Sequence, residues 1–241
     1  MSSPLVIIQA RLNSTRLPNK IHADICGLSM LGHVVMRASR IAPVIVAFPK
    51  ETEDENDVLS RYARVVKSNP NADPIIRITG DCPLLDSGLG LGLLDRYNQG
   101  QYDILGTSPA FDGLDIEVFS RVSLRTADMF AQSARDREHV TPWMKRHLLY
   151  EEVKLRGPAL RWSVDDEEGL DFVRRVFTAC PHCRGGVPHH TNSATSIGGH
   201  DRSPVWDLHQ LDEPSNRGGH VECTAYDILM TRMGGEVYES A

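Results

Sequence analysis

Three short apolar runs, Leu5-Val6-Ile7-Ile8, Val44-Ile45-Val46-Ala47-Phe48 and Ile75-Ile76-Arg77-Ile78, are separated by stretches whose apolar residues recur at helical spacing. Runs of this length, rich in β-branched residues, read as buried strands. Between the first two, Leu31, Val34, Val35, Ala38 and Ile41 fall on one stripe and predict a helix over 31–41. Leu59, Tyr62, Ala63 and Val66 do the same for a helix over 58–67. Strands alternating with helices predict an α/β fold with a mostly parallel, mixed sheet between helical layers. The pattern continues with a helix over 89–97, a strand near 103–105, helices over 123–134 and 139–149, a late strand over 160–164 and a helix over 169–179. Pro142 falls in the first turn of its helix, where proline is tolerated. At about Cys180 the composition turns to Gly, Ser, Pro, Asn and His, so the chain divides into residues 1–179 and an extension over 180–241, with a closing helix or strand near 221–233.

The first strand runs into Gln9-Ala10-Arg11-Leu12-Asn13-Ser14-Thr15-Arg16-Leu17-Pro18-Asn19-Lys20, a polar loop with three cations, two hydroxyls and no glycine. A loop at the end of a strand in an α/β sheet faces the ligand crevice. Arg and Lys heads, hydroxyls and backbone N–H groups are what a triphosphate needs around it. Without glycine this is not the G-x-x-x-x-G-K-[ST] loop, and side chains must supply much of the binding. Read as residues alone, it is equally a solvated basic loop.

Three further strings carry chemistry. Gly80-Asp81-Cys82-Pro83 closes the third strand, and its aspartate either holds a divalent cation or caps a turn. Arg161-Trp162-Ser163-Val164-Asp165-Asp166-Glu167-Glu168 delivers carboxylates at the end of the late strand, where they serve a metal or the start of the next helix. Ala134-Arg135-Asp136-Arg137-Glu138-His139-Val140-Thr141-Pro142 is a charged cluster of the kind that usually forms a solvated loop at a helix start.

The segment Gln-Ala-Arg-x-x-Ser-Thr-Arg-Leu-Pro-x-Lys resembles the N-terminal signature of the cytidylyltransferases that activate acidic sugars as CMP-sugars. The likeness is greatest to the branch named after a spore-coat polysaccharide biosynthesis protein, which is related to the 3-deoxy-manno-octulosonate and acylneuraminate enzymes. Gly-Asp-x-Pro, the Val-Asp at Val164-Asp165, the Arg-Glu-His-Val-Thr-Pro string and Gly113-Leu114-Asp115-Ile116-Glu117-Val118-Phe119-Ser120 resemble motifs of the same family, in order over roughly three quarters of the chain.

The resemblance implies a three-layer α/β/α sandwich of the nucleotide-diphospho-sugar transferase (Rossmann-like) type. It implies transfer of CMP from CTP to a small acidic sugar with release of pyrophosphate, and a homodimer. Asp81 and Asp165 are implied as ligands of Mg²⁺, and Arg11, Ser14, Arg16 and Lys20 as contacts of the triphosphate, with Ala10 and Thr79 lining the nucleotide. Arg11 and Lys20, with the two aspartates, form the implied catalytic set. Asp115, Glu117, Arg135, Arg137 and His139 are implied as contacts of the acceptor. The chain departs from the family between the second strand and Asp57, where only Pro49 to Asn56 stand in place of a longer stretch holding a helix and a strand.

Composition narrows the partners. A formal net charge of −6 gives no overall attraction for nucleic acid or anionic membranes. No apolar run approaches the roughly 20 residues of a membrane helix. With no signal-peptide pattern and five cysteines, an odd number, the expected compartment is the cytoplasm. In the tail, Cys180-Pro181-His182-Cys183 with later histidines and Cys223 has the ligand types of a zinc site. A single Cys-x-x-Cys is a weak motif, and the favoured reading is a histidine-rich loop with an oligomer contact. Two alternatives stand beside the sugar enzyme: a cytidylyltransferase acting on a phosphonate, and a non-catalytic nucleotide-binding homologue.

Overall fold

The computed structural model describes residues 2–11, 14–50, 53–107, 111–155 and 160–179. The expected extension over 180–241, with its Cys and His residues and its closing element, lies outside the described residues.

Strand β1 (Ser3–Gln9) is the hub of a six-stranded sheet. It runs parallel to β4 (Val44–Ala47) on one side and β5 (Ala72–Thr79) on the other. Beyond β5 come β8 (Glu117–Phe119), β6 (Ile104–Thr107) and β9 (Tyr150–Val153), giving the order β4-β1-β5-β8-β6-β9. Only β8 is antiparallel to its neighbours. Hairpin β2 (Asp24–Ile25) and β3 (Leu28–Ser29) and the pair β7 (Phe111–Asp112) and β10 (Leu160–Arg161) stand outside the main sheet.

The two-residue period of β1 divides the core. Val6 and Ile8 face a layer built from α1 (Met30–Ala38), α3 (Ser87–Gln99) and α7 (Glu167–Ala179). Leu5 and Ile7 face α2 (Val58–Ser68), α4 (Arg121–Phe130), α5 (Ala134–His139) and α6 (Pro142–His147). The result is the three-layer sandwich expected from the alternating pattern. Asp57, Asp86, Ser120 and Ser133 each cap the N-terminus of the helix that follows by accepting a backbone N–H. Among the described residues no helix is long and apolar enough to cross a membrane.

Several boundaries differ from the sequence reading. The second strand is an edge strand, so Val44, Ile45 and Val46 are half-buried rather than buried. The helix expected over 123–134 ends at Phe130, and the one expected over 139–149 is the shorter α6, separated at Val140 from α5, a short helix over 134–139. The late strand over 160–164 is only two residues long and pairs with β7, so it does not extend the main sheet. Strand β9, which the sequence reading did not anticipate, closes the far edge beside β6.

One polar pair sits inside the sheet. Arg77 and Glu117 face each other across β5 and β8, with Arg77 Nη1 donating to Glu117 Oε2 at 2.7 Å. Glu117 is 5% exposed, and its other oxygen accepts from Thr141 Oγ1 (2.9 Å) and meets Lys145 Nζ (2.6 Å). Arg77 Nε also donates to the Gln9 side chain at 3.2 Å. The chain of contacts therefore ties the end of β1 to the α5–α6 segment. Burial pushes the Glu117 carboxyl up, but Arg77 and Lys145 outweigh it and hold it below the ordinary glutamate range. Glu117→Ala leaves a buried guanidinium without its partner and should cost about 3–5 kcal/mol in chemical denaturation. Because the folded-state value is depressed, this contribution is full above about pH 4.3, the ordinary glutamate value, and is lost as the pH falls through the folded value. The gap between wild type and variant should narrow in that acid range.

Candidate active site

The C-terminal ends of β1 and β5 lie side by side because residue 80 has no side chain. Gly80 N donates to Gln9 O at 2.9 Å, and a Cβ at Gly80 would sit 3.0 Å from that same carbonyl. The loop after β1 and the loop after β5 therefore leave the sheet together. A second link is equally direct: Val164 N donates to Asp81 O at 2.9 Å. That bond sets the two conspicuous aspartates, Asp81 and Asp165, beside each other although 160–164 is not part of the main sheet. Gly113 allows the remaining loop to close in, since at φ 104° a Cβ there would meet Ser163 N at 2.7 Å. Ser163 Oγ donates to Asp112 at 2.7 Å, and Trp162 N donates to Asp112 O.

The cationic loop folds back on this acidic pair. Ser14 Oγ accepts from Leu17 N, and Asn19 takes a left-handed conformation (φ 56°) at which the chain turns into a single 3₁₀ turn starting at Lys20. Asparagine is among the residues that adopt this region most readily. Lys20 Nζ then reaches Asp81 Oδ2 at 2.9 Å, Val164 O at 3.1 Å and Asp165 Oδ1 at 3.3 Å. The second cation, Arg16, lies 3.5 Å from Asp165 Oδ1. Arg161 approaches from the other side and donates to Asp165 Oδ2 at 3.0 Å, while also facing Asp112 and Asp166. Burial pushes the Asp165 carboxyl up, yet the Arg161 hydrogen bond and the charges of Lys20 and Arg16 hold it below the ordinary range. Asp166 instead caps α7 by accepting from Gly169 N.

Two carboxylates and a carbonyl converging on one cationic head form a donor set of the kind a hard divalent cation takes, with phosphate and water oxygens completing the shell. Among the described residues no group of three or more His, Cys, Asp or Glu gathers as a metal cluster. Asp81 and Asp165 thus fit a cation shared with a phosphate ligand. Thr79 lies at the strand end with its hydroxyl 3.0 Å from Cys82 Sγ, and Ala10 is buried with its N–H on Ala47 O. Burial first, then the Asp81 charge, push the Cys82 thiol well up, so it is a neutral filler of this loop.

The residues expected on the acceptor side separate into two groups. Asp115 accepts from Gly113 N, and burial with the nearby charges of Asp112 and Glu117 raises its carboxyl. Arg135 and His139 are exposed. Glu117, by contrast, is inside the sheet with both oxygens engaged. Arg137 is locked as well: it donates twice to Asp57, the N-cap of α2, and to the carbonyl and carboxylate of Asp128, and it touches Ser60. As placed, these two side chains hold the framework of the site and are not free for an incoming acid or hydroxyl.

Between the two groups lies a strained turn. Val140, fully buried, has φ 69° and ψ −55°, and Thr141 N donates to His139 O at 2.8 Å. This is the rarer hand of γ-turn, and for a β-branched residue it is a genuine outlier. Such strain persists only where the surroundings over-determine it. Here Val140 is held in the core and Thr141 by Glu117. The turn leaves Glu138 3.5 Å from Arg11, so the motif and the cationic loop face each other across the crevice.

Sequence reasoning assigned no role to Arg161 or Asp112, although Arg161 lies four residues before Asp165 in a string already singled out. A cavity of about 540 Å³ opens at the other end of the sheet between Asp73, Tyr97, Tyr102 and Asp103, away from these groups. Arg137→Ala should lower stability by about 1–3 kcal/mol, as for loss of a charged hydrogen-bond partner, without weakening affinity for a nucleoside triphosphate. Thermal unfolding and calorimetry on one sample check both halves.

A family profile described as cytidylyltransferase matches residues 5–54 and 45–173. The two pieces overlap in the short stretch joining β4 to α2. The spore coat polysaccharide biosynthesis protein SpsF of Bacillus subtilis is 27% identical over 213 residues, 73% of this chain and 87% of that protein. A 3-deoxy-manno-octulosonate cytidylyltransferase of Methylorubrum extorquens is 34% identical over 110 residues, 37% of this chain and 44% of that enzyme. Matches to the first curated relatives span 44% to 65% of their length. A solved cytidylyltransferase from Leptospira borgpetersenii superposes with a TM-score of 0.69 at 26% identity, over 75% of this chain and 88% of that one.

Proposed function

We propose, on the premise that the chain belongs to the cytidylyltransferase family, that it transfers CMP from CTP to a small acidic sugar and releases pyrophosphate. The observation that carries this reading is the meeting of Asp81 and Asp165 on one cationic head at the foot of the Arg11–Lys20 loop. The acceptor class is an octulosonic or nonulosonic acid, the former in line with the name of the 3-deoxy-manno-octulosonate relative.

The chemistry asks for positioning and charge neutralisation rather than covalent help. Arg11 and Arg16 hold the triphosphate from the loop, and the Ser14 hydroxyl, whose oxygen already accepts from Leu17 N, keeps its own proton to donate to a phosphate oxygen. Ala10 and Thr79 line the nucleotide at the strand ends. Asp81 and Asp165 would hold Mg²⁺, which would polarise the phosphate under attack. Asp115, raised by burial, accepts from an acceptor hydroxyl, and Arg135 and His139 meet the acceptor's acid from the rim. Leaving-group charge accumulates beside the cations of the loop.

The expected homodimer has an apolar surface available: Val122, Met129, Phe130 and Leu149 are all exposed, and Phe130 stacks on Trp143.

Pyrophosphate release measured with Mg²⁺, each of the four nucleoside triphosphates and a panel of octulosonic acids, nonulosonic acids, sugar phosphates and alkyl phosphonates tests the reaction. Release with CTP and a sugar acid alone is the expected result; release only with phosphonates would replace the acceptor class, and CTP bound without turnover across the panel would make the chain a binding homologue. Asp81→Asn should cut turnover by at least about a hundredfold while leaving the fold intact by circular dichroism. Arg11→Ala should weaken CTP binding by about tenfold or more, as for loss of a charge-assisted phosphate contact; unchanged affinity removes Arg11 from the triphosphate site.

A further inference from the structure

We infer that Lys20 holds the divalent-cation position itself until nucleotide arrives, so that the metal enters with CTP and not before it. The inference rests on the proposed reading of Asp81 and Asp165 as metal ligands and goes beyond it by setting the order in which the site fills.

Three distances carry it. The ammonium of Lys20 is 2.9 Å from Asp81 Oδ2, 3.3 Å from Asp165 Oδ1 and 3.1 Å from Val164 O. A lysine head has three donors, and here each has an oxygen acceptor. The side chain is 14% exposed and the two carboxylates 28% and 25%, so the contact is sheltered and not a rim pair. The oxygens that would ligate a divalent ion are thus the ones that ligate the ammonium.

The two cations cannot share that point. At contact distance their repulsion is large in any medium less polar than bulk water. A free divalent ion must therefore displace the ammonium into water while gaining only two carboxylates. A nucleotide-borne ion arrives with a triphosphate that offers Lys20 new anionic partners, and the displaced head moves from carboxylate to phosphate. A neighbouring charge favours the exchange: Arg161 remains on Asp165, so that carboxylate keeps a partner while Lys20 leaves.

The position of Lys20 explains the cation choice in the loop. Arg11 and Arg16 lie at the loop's exposed side, 46% and 64% exposed, where a planar guanidinium can grip phosphate. The inner position carries a lysine, a compact charge on a flexible stem that suits a head which must relocate.

The test uses Mn²⁺ as the probe, with binding read by electron paramagnetic resonance and calorimetry in the absence of any nucleotide. Wild type should take up Mn²⁺ weakly, and Lys20→Met at least about tenfold more tightly, since the competing charge is gone. Lys20→Arg, which keeps a cation in place, should behave as wild type. Adding Asp81→Asn to Lys20→Met should abolish the gain. Thermal unfolding supplies a second readout: Lys20→Met should unfold earlier than wild type without metal, because Asp81 loses its cationic partner beside Asp165, and recover on addition of Mn²⁺. Equal Mn²⁺ affinity in wild type and Lys20→Met overturns the inference, as does tight binding by wild type alone. The proposed function fails separately, through CTP that wild type does not bind or turn over. If Lys20→Met folds poorly, Lys20→Gln provides the same comparison.

Discussion

Two carboxylates set side by side by a backbone hydrogen bond repel each other, and the site stands because cations are arranged around them. The bond from Val164 N to Asp81 O fixes how close Asp81 and Asp165 must come. Lys20 answers from below, Arg16 and Arg161 from either side of Asp165. Everything at the mouth of the crevice follows from that electrostatic balance: the loop after β1 folds inward because its last cation has a destination, and the 160–164 segment stays at the sheet end although it adds no strand to it. The arrangement also explains why a glycine-free loop suffices. Its side chains are held by their acidic partners, so its course does not depend on backbone turns that only glycine allows.

A second balance lies beneath, inside the sheet. Arg77 and Glu117 would each be costly alone, and together with Lys145, Thr141 and Gln9 they form one satisfied network. Because the network begins at the strand that feeds the cationic loop and ends at the γ-turn of Val140, the two sides of the crevice share a support. Strain at Val140 is tolerated there, where a buried valine and an anchored threonine leave the chain no easier path.

Much of this was legible in the sequence, for physical reasons that differ by element. β1 and β5 are central and apolar on both faces, so their runs announced themselves; β9 is an edge strand, Tyr150-Glu151-Glu152-Val153, whose polar residues carry no such signal. The break between α5 and α6 depends on the φ of Val140, which no periodicity encodes. Asp81 and Asp165 were found through their motifs, and the contact between them came from a backbone bond invisible to any residue pattern. Glu117 and Arg137 are where string and fold part. Both sit in strings that resemble an acceptor site, and burial and bidentate pairing, properties of the fold and not of the string, commit them to the framework instead.

Among the described residues the sheet ends on β4, four residues long and half-buried. An open edge of Val44, Ile45 and Val46 would ordinarily invite another chain to add a strand, the first step of aggregation. Its brevity is the defence. Pro43 stands directly before the strand and Pro49 two residues after it, and proline has no N–H to offer a new neighbour. With so few free N–H groups along this edge, one molecule offers the next little template for misassembly.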